Sequence, residues 1–204
     1  MCRLASSVRR SISQPIKIKR RQERQYSAHH LLLETAHRAD KRADNQSPGW
    51  IYPILEAQTF SILAIESFAN TVGDKLIPLW DDFESASILA KLRVICDHLS
   101  IPFDKDQEPW STVRSMVCFR NLVVHAKPRL LIEERIFSQE EAEKREFERP
   151  ESNLERQLTI GNARHYTKTA KKVRDTILQA LTPEQAYGIS TDGSFSHSQI
   201  YNQP

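Results

Sequence analysis

With 204 residues the chain is long enough to bury one sizeable core and too short for two compact domains. Its net charge of +3 is a property of one end: residues 1–24 hold eight Lys or Arg against Glu23 alone, which leaves the other 180 residues at −4. Three cysteines without a CxxC pair argue against a disulfide framework and point to a reducing, cytoplasmic setting, and no run of about 18 apolar residues is present to span a membrane.

In chain order, the Ser- and Arg-rich stretch MCRLASSVRRSISQPIKIKRRQER has the composition of an organelle transit peptide or of a disordered basic arm. The arm is the expectation taken for residues 1–25, and its cations suit phosphate backbones through counterion release. Residues 26–44 form an amphipathic first helix, with Leu32, Ala36 and Ala39 on one stripe and Arg38, Asp40, Lys41 and Arg42 largely off it. After NQSPG, a second helix opens near Trp50, tolerates Pro53 in its first turn and carries Ile51, Leu55, Ile62, Ala69 and Val72 on one face. Phe60, Leu63 and Phe68 lie elsewhere around it, so this helix is expected at the centre, with Gly73 and Asp74 punctuating its end. Residues 79–100 supply Phe83, Leu89, Leu92, Ile95 and Leu99 for a third helix, and a fourth runs from Trp110 until Pro128 restricts Lys127.

The charged stretch 133–149 holds seven acids against four bases and reads as a solvated insert. Helical period returns over 161–181 through Tyr166, Ala170, Val173, Ile177 and Leu181, with Lys168, Lys171, Lys172 and Arg174 mostly outward. No convincing strand appears, nor any internal repeat. The expected fold is therefore all-α: an up-and-down bundle of about five helices over residues 26–182, with a charged insert near 133–150 and disordered tails at 1–25 and 183–204.

Chemistry-bearing patterns are few. The seven histidines form no HExxH, HxH or Cys/His cluster, so no metal site is expected. Scattered glycines make no nucleotide cradle and there is no GxSxG elbow, so no cofactor is expected either. Asp81, Asp82 and Glu84 have the spacing of any exposed helix start, where acids favour the positive end of the dipole. What remains is Arg-x4-His. About 0.6 such pairs are expected by chance, and three occur: Arg24 with His29, Arg93 with His98, and Arg120 with His125. Only the third, in CFRNLVVHAKP, places a polar residue after the arginine inside an apolar helical run, where burying unpaired polar groups costs several kcal/mol.

FRNLVVHAKP, at the end of a late apolar helix, resembles the ribonuclease motif of the HEPN superfamily, R-x(4 to 6)-H with a polar residue after the arginine. The central LAIESFANTVG is similar to second-helix stretches common in that superfamily. The resemblance covers roughly residues 26–181; the acidic insert and the basic arm are not part of a minimal HEPN bundle. It implies metal-independent endonucleolytic cleavage of RNA by a homodimer, as a toxin or antiphage defence effector with an antitoxin protein as partner. It also implies Arg120, Asn121 and His125 as the catalytic residues. The alternative is a catalytically inactive HEPN-like module that binds RNA, a nucleotidyltransferase partner or another protein.

The residue types suit the reaction. Histidine exchanges protons near neutral pH. Arginine stays charged and forks two N–H bonds onto phosphate oxygens. Asn121 can orient the histidine or the phosphate, with Glu66 and Asn70 of the second helix as supporting partners. In an ideal helix, five residues put Arg120 and His125 about 140° apart. The pair then needs either a helix that loosens before Pro128 or a second protomer that completes a composite site across a two-fold axis. The bland reading of the same residues has Arg120 and Asn121 tying the fourth helix to Glu66 or Asn70, and His125 capping a carbonyl.

Overall fold

A computed structural model describes residues 17–24, 26–44, 48–134, 136, 138–144, 149–190 and 194–201. The expectations for residues 1–16 and 25 of the basic arm, for 45–47 of the first loop, for 135, 137 and 145–148 of the charged insert and for 191–193 and 202–204 of the last stretch lie outside them. Two compact units divide the chain, one of residues 27–191 and one formed by the two ends.

The larger unit is an all-α bundle, as expected. Its long helices are α1 (Ala28–Arg42), α2 (Ile51–Leu76), α3 (Ile88–His98), α4 (Trp110–Val124) and α7 (Ile160–Ala180). Shorter helices α5 (Gln139–Lys144), α6 (Asn153–Gln157) and α8 (Pro183–Ala186) join the others. α2 is central: it packs against α1, α3, α4 and α7. Sequence explains this, because α2 buries Ile54, Ala57, Ile62, Ile65, Phe68, Ala69 and Val72, a set too wide for one stripe. Alanines at 57, 64 and 69 let neighbouring helices come close, while Phe119 of α4 meets Tyr166 of α7 edge to face at 5.9 Å between ring centres.

Helix starts follow local side chains. The Ser87 hydroxyl accepts from the Ala90 N–H to open α3, and Thr159 does the same for Asn162 at α7. Ser152 with Glu155 and Thr182 with Gln185 close reciprocal capping boxes at α6 and α8. The Ser152 N–H and hydroxyl bonds hold the Glu155 carboxyl below the usual glutamate range, outweighing a smaller upward push from desolvation.

The sequence expectation needs three corrections. First, Gly73 does not end the second helix. It is buried within α2, and a Cβ there would lie 2.2 Å from the Trp80 ring, so its missing side chain seats the indole. Second, residues 79–100 are not one helix: a 3-10 turn (Trp80–Phe83) precedes α3, with Leu79 left-handed at φ 58° and Trp80 stacked on Phe83. Third, the region after residue 182 does not leave the bundle at once. α8 follows, Ile189 is 1% exposed in the core, and its carbonyl accepts from His30 Nε2 at 3.1 Å.

The other unit contains strands the sequence reading did not foresee. β1 (Lys17–Arg24) pairs antiparallel with β2 (Ser194–Tyr201), in a register that sets Lys17 opposite Tyr201 and Arg24 opposite Ser194. These strands are described parts of the two arms. The pairing was illegible because KIKRRQER lacks the apolar alternation that marks a half-buried strand.

Candidate functional site

α4 carries CFRNLVV through its last turns because its buried face, Trp110, Val113, Met116 and Phe119, anchors it to the core. Trp110 Nε1 also donates to the Pro102 carbonyl at 3.1 Å, fixing the helix start. The burial pattern sets Arg120 at the boundary, beside buried Phe119, while Asn121 and His125 face outward. The helix ends at Val124. His125 is its C-cap at φ −106° and ψ 20°, and its backbone N–H donates to the Asn121 carbonyl at 3.0 Å. That i to i−4 bond keeps the helical turn from Arg120 to His125 intact, so the 140° separation stands and no loosening falls between the two residues.

Arg120 is held from two directions. Its Nη2 lies 3.6 Å from Glu66 Oε2 of α2, both side chains 28% exposed, and its Nη1 donates to Asn121 Oδ1 at 3.2 Å. A guanidinium has five N–H donors, so these contacts leave capacity for a phosphate. His125 is exposed, and its ring makes no hydrogen bond among the described residues. No side-chain bond joins His125 to Arg120 or Asn121 among those residues.

The second expected partner is engaged elsewhere. Asn70, one turn beyond Glu66 on α2, accepts from Lys91 Nζ of α3 at 2.9 Å. Lys91 is 2% exposed, and among the described residues the Asn70 amide takes one of its three ammonium donors. Sequence reasoning missed this lysine, although position 91 falls on the same stripe as Ile88, Leu92 and Ile95. A polar row thus runs along α2, with Glu66 facing an arginine of α4 and Asn70 facing a lysine of α3.

The competing Arg-x4-His pairs separate from this one. Arg93 lies over the Phe103 ring at 5.4 Å, and Arg24 belongs to β1. Among the described residues no three His, Cys, Asp or Glu side chains gather as a metal-holding group, and no helix is long and apolar enough to cross a membrane.

A second polar cluster lies toward the start of α4. Glu108 Oε1 accepts from the Ser111 hydroxyl at 2.8 Å and from the Thr112 hydroxyl at 2.5 Å, and Thr112 Oγ1 sits 2.8 Å from His165 Nε2 of α7. Burial pushes the Glu108 carboxyl up, but the two hydroxyl bonds, with the charges of His165 and Lys172, outweigh it and hold the group below the usual range. No family model, curated protein or solved structure matches the chain.

Proposed function

We propose that the chain is an endoribonuclease that needs no metal for the chemistry its own residues supply, with Arg120 and His125 as its catalytic pair. What supports this reading is an arginine held at the edge of the core and, at the end of the same helix, an exposed histidine whose ring makes no hydrogen bond among the described residues. In this reaction the RNA 2′-hydroxyl attacks the adjacent phosphorus. The 2′-O–P bond forms as the P–O5′ bond breaks, giving a 2′,3′-cyclic phosphate and a 5′-hydroxyl. His125 exchanges the proton at the 2′-oxygen or the leaving 5′-oxygen, a role worth about 10²- to 10⁴-fold. Arg120 meets the charge that builds on the phosphate oxygens, and Asn121 fixes its Nη1 side.

A homodimer belongs to this reading. What supports it is the apolar surface beside the motif: Val124 is 62% exposed, and Leu130, Leu131 and Ile132 are exposed just beyond Pro128. A two-fold axis there would place each His125 near the partner's copy of the site. Toxin or antiphage activity, with an antitoxin protein as partner, is the biological setting the HEPN resemblance suggests.

The second reading is a helical module that binds RNA or protein without cutting, and the Arg120–Glu66 pair favours it, since a structural tether makes that same contact. Purified protein incubated with single-stranded RNA in EDTA separates the two. Fragments with cyclic-phosphate and 5′-hydroxyl ends support the ribonuclease; intact RNA at stoichiometric protein supports the module.

A further inference from the structure

The exposed face of α7 is cationic along two turns. Arg164, His165, Lys168, Lys171 and Lys172 are all exposed, whereas Ala163, Tyr166, Ala170, Val173 and Ile177 are buried. At 100° per residue the five lie within an arc of about 120°, and from Arg164 to Lys172 they climb about 12 Å, with successive cations at 164, 168 and 172 about 6 Å apart. The result is a straight cationic row rather than a scattered charge.

The row is not neutralised. Both arginines of α1 have acid partners: Arg38 meets Glu34 at 2.8 Å and Arg42 meets Glu56 at 2.7 Å. Arg164, Lys168, Lys171 and Lys172 make no salt bridge among the described residues, and α7 holds Asp175 alone as an acid, already bonded to Arg174. The carboxylate that does feel the row is Glu108, already bonded to Ser111 and Thr112. The contrast in charge is large. α7 holds five Lys or Arg against one acid, while the rest of residues 25–204 hold 16 against 24. Four like charges on one face repel one another, and a polyanion that lies along them removes that repulsion.

We propose that this face of α7 is a docking track for the phosphate backbone of single-stranded RNA, separate from the Arg120 and His125 site. The choice of RNA as the polyanion rests on the ribonuclease reading. Thr112 ties the track to α4 through His165, and His125 closes the other end of that helix, about 20 Å along its axis. A strand on the track is thereby held by the helix that carries the catalytic residues. The contact is sequence-independent, since it reads charge and not base edges.

The test uses the full chain and a fluorescein-labelled oligonucleotide of about 20 residues, 2′-O-methylated throughout so that it cannot be cut, with binding read by anisotropy from about 50 to 200 mM salt. The variant Lys168→Glu/Lys171→Glu/Lys172→Glu should bind at least about tenfold more weakly, with a salt slope shallower by about 2, the value for three lost single-strand phosphate contacts. Lys168→Gln/Lys171→Gln/Lys172→Gln should fall between it and wild type, and guards against misfolding of the reversed-charge protein. Arg38→Gln, on α1 and already paired with Glu34, should bind within about twofold of wild type, because it leaves the α7 lysines intact. Wild-type affinity and slope in both lysine variants would overturn the proposal. So would equally tight binding of a polyglutamate peptide, which would assign the face to an acidic protein. Cleavage of unmodified RNA by wild type alongside unimpaired binding by the lysine variants refutes the track alone; lysine-dependent binding without cleavage refutes the ribonuclease alone.

Discussion

Removing Arg120 distinguishes a catalytic arginine from a structural one. Its guanidinium lies 3.6 Å from the Glu66 carboxylate. At that separation Coulomb's law gives about 1 kcal/mol in water and about 5 kcal/mol at an effective dielectric constant of about 20. Two features favour the lower end. Both side chains are 28% exposed, and the contact is longer than a charge-assisted hydrogen bond. Partly exposed pairs of this kind contribute about 0.2 to 1 kcal/mol, against about 3 to 5 when one partner of a buried pair is removed. Arg120→Ala should therefore cost about 1 kcal/mol of stability, a fall of about 2 to 4 °C in Tm for a body of this size. A double-mutant cycle with Glu66→Gln, read by urea unfolding, should return a coupling of about 1 kcal/mol or less. Cleavage by Arg120→Ala should drop by at least about a hundredfold, far beyond what a fold still intact can explain. A stability loss above about 3 kcal/mol would refute this reasoning and make Arg120 a structural tether.

Gly73→Ala should destabilise by about 1 to 3 kcal/mol, despite the better helix propensity of alanine, because the new Cβ meets the Trp80 ring at 2.2 Å; circular dichroism melts measure it. Burial pushes the Cys96 thiol up to about 12, so mass-mapped alkylation of the native protein near pH 8 should label exposed Cys118 and spare Cys96 until denaturant is added. The depressed Glu108 carboxyl adds stability that is full above its unfolded value, near about 4.3, and is lost as pH falls through its lower folded value. Acid unfolding of Glu108→Gln should therefore be less steep below about pH 5 than that of wild type, and identical profiles would show that the Ser111 and Thr112 bonds do not matter.

Much of the bundle was legible because its helices obey a strict apolar period. Leu92 with Ile95, and Val173 with Ile177, mark their buried faces plainly, and the Trp110 start and the end short of Pro128 follow from turn chemistry. What escaped depends on tertiary contact. Gly73 looks like a helix terminator until Trp80 is seen to occupy the space of its absent side chain. Ile189 lies in a polar stretch, and only the groove that receives it explains its burial. The β1–β2 pairing joins segments about 170 residues apart without an apolar face to advertise it.

At the site, Glu66, which interrupts an otherwise apolar helix, lies 3.6 Å from Arg120. Asn70 was expected beside Arg120, yet Lys91 takes it, and nothing in the spacing of α2 alone could choose between two neighbouring cations from different helices. The exposure of His125 follows from α4 stopping one residue earlier, a cap geometry that the proline three residues on implied only in outline.

The central claim rests on His125, and one comparison tests it most directly: wild type and His125→Ala, matched by melting temperature, incubated with the same single-stranded RNA in EDTA. Because the ring is exposed and makes no hydrogen bond among the described residues, the substitution should leave Tm within about 2 °C while cleavage falls by about a hundredfold or more. Equal cleavage by the two proteins would contradict the account.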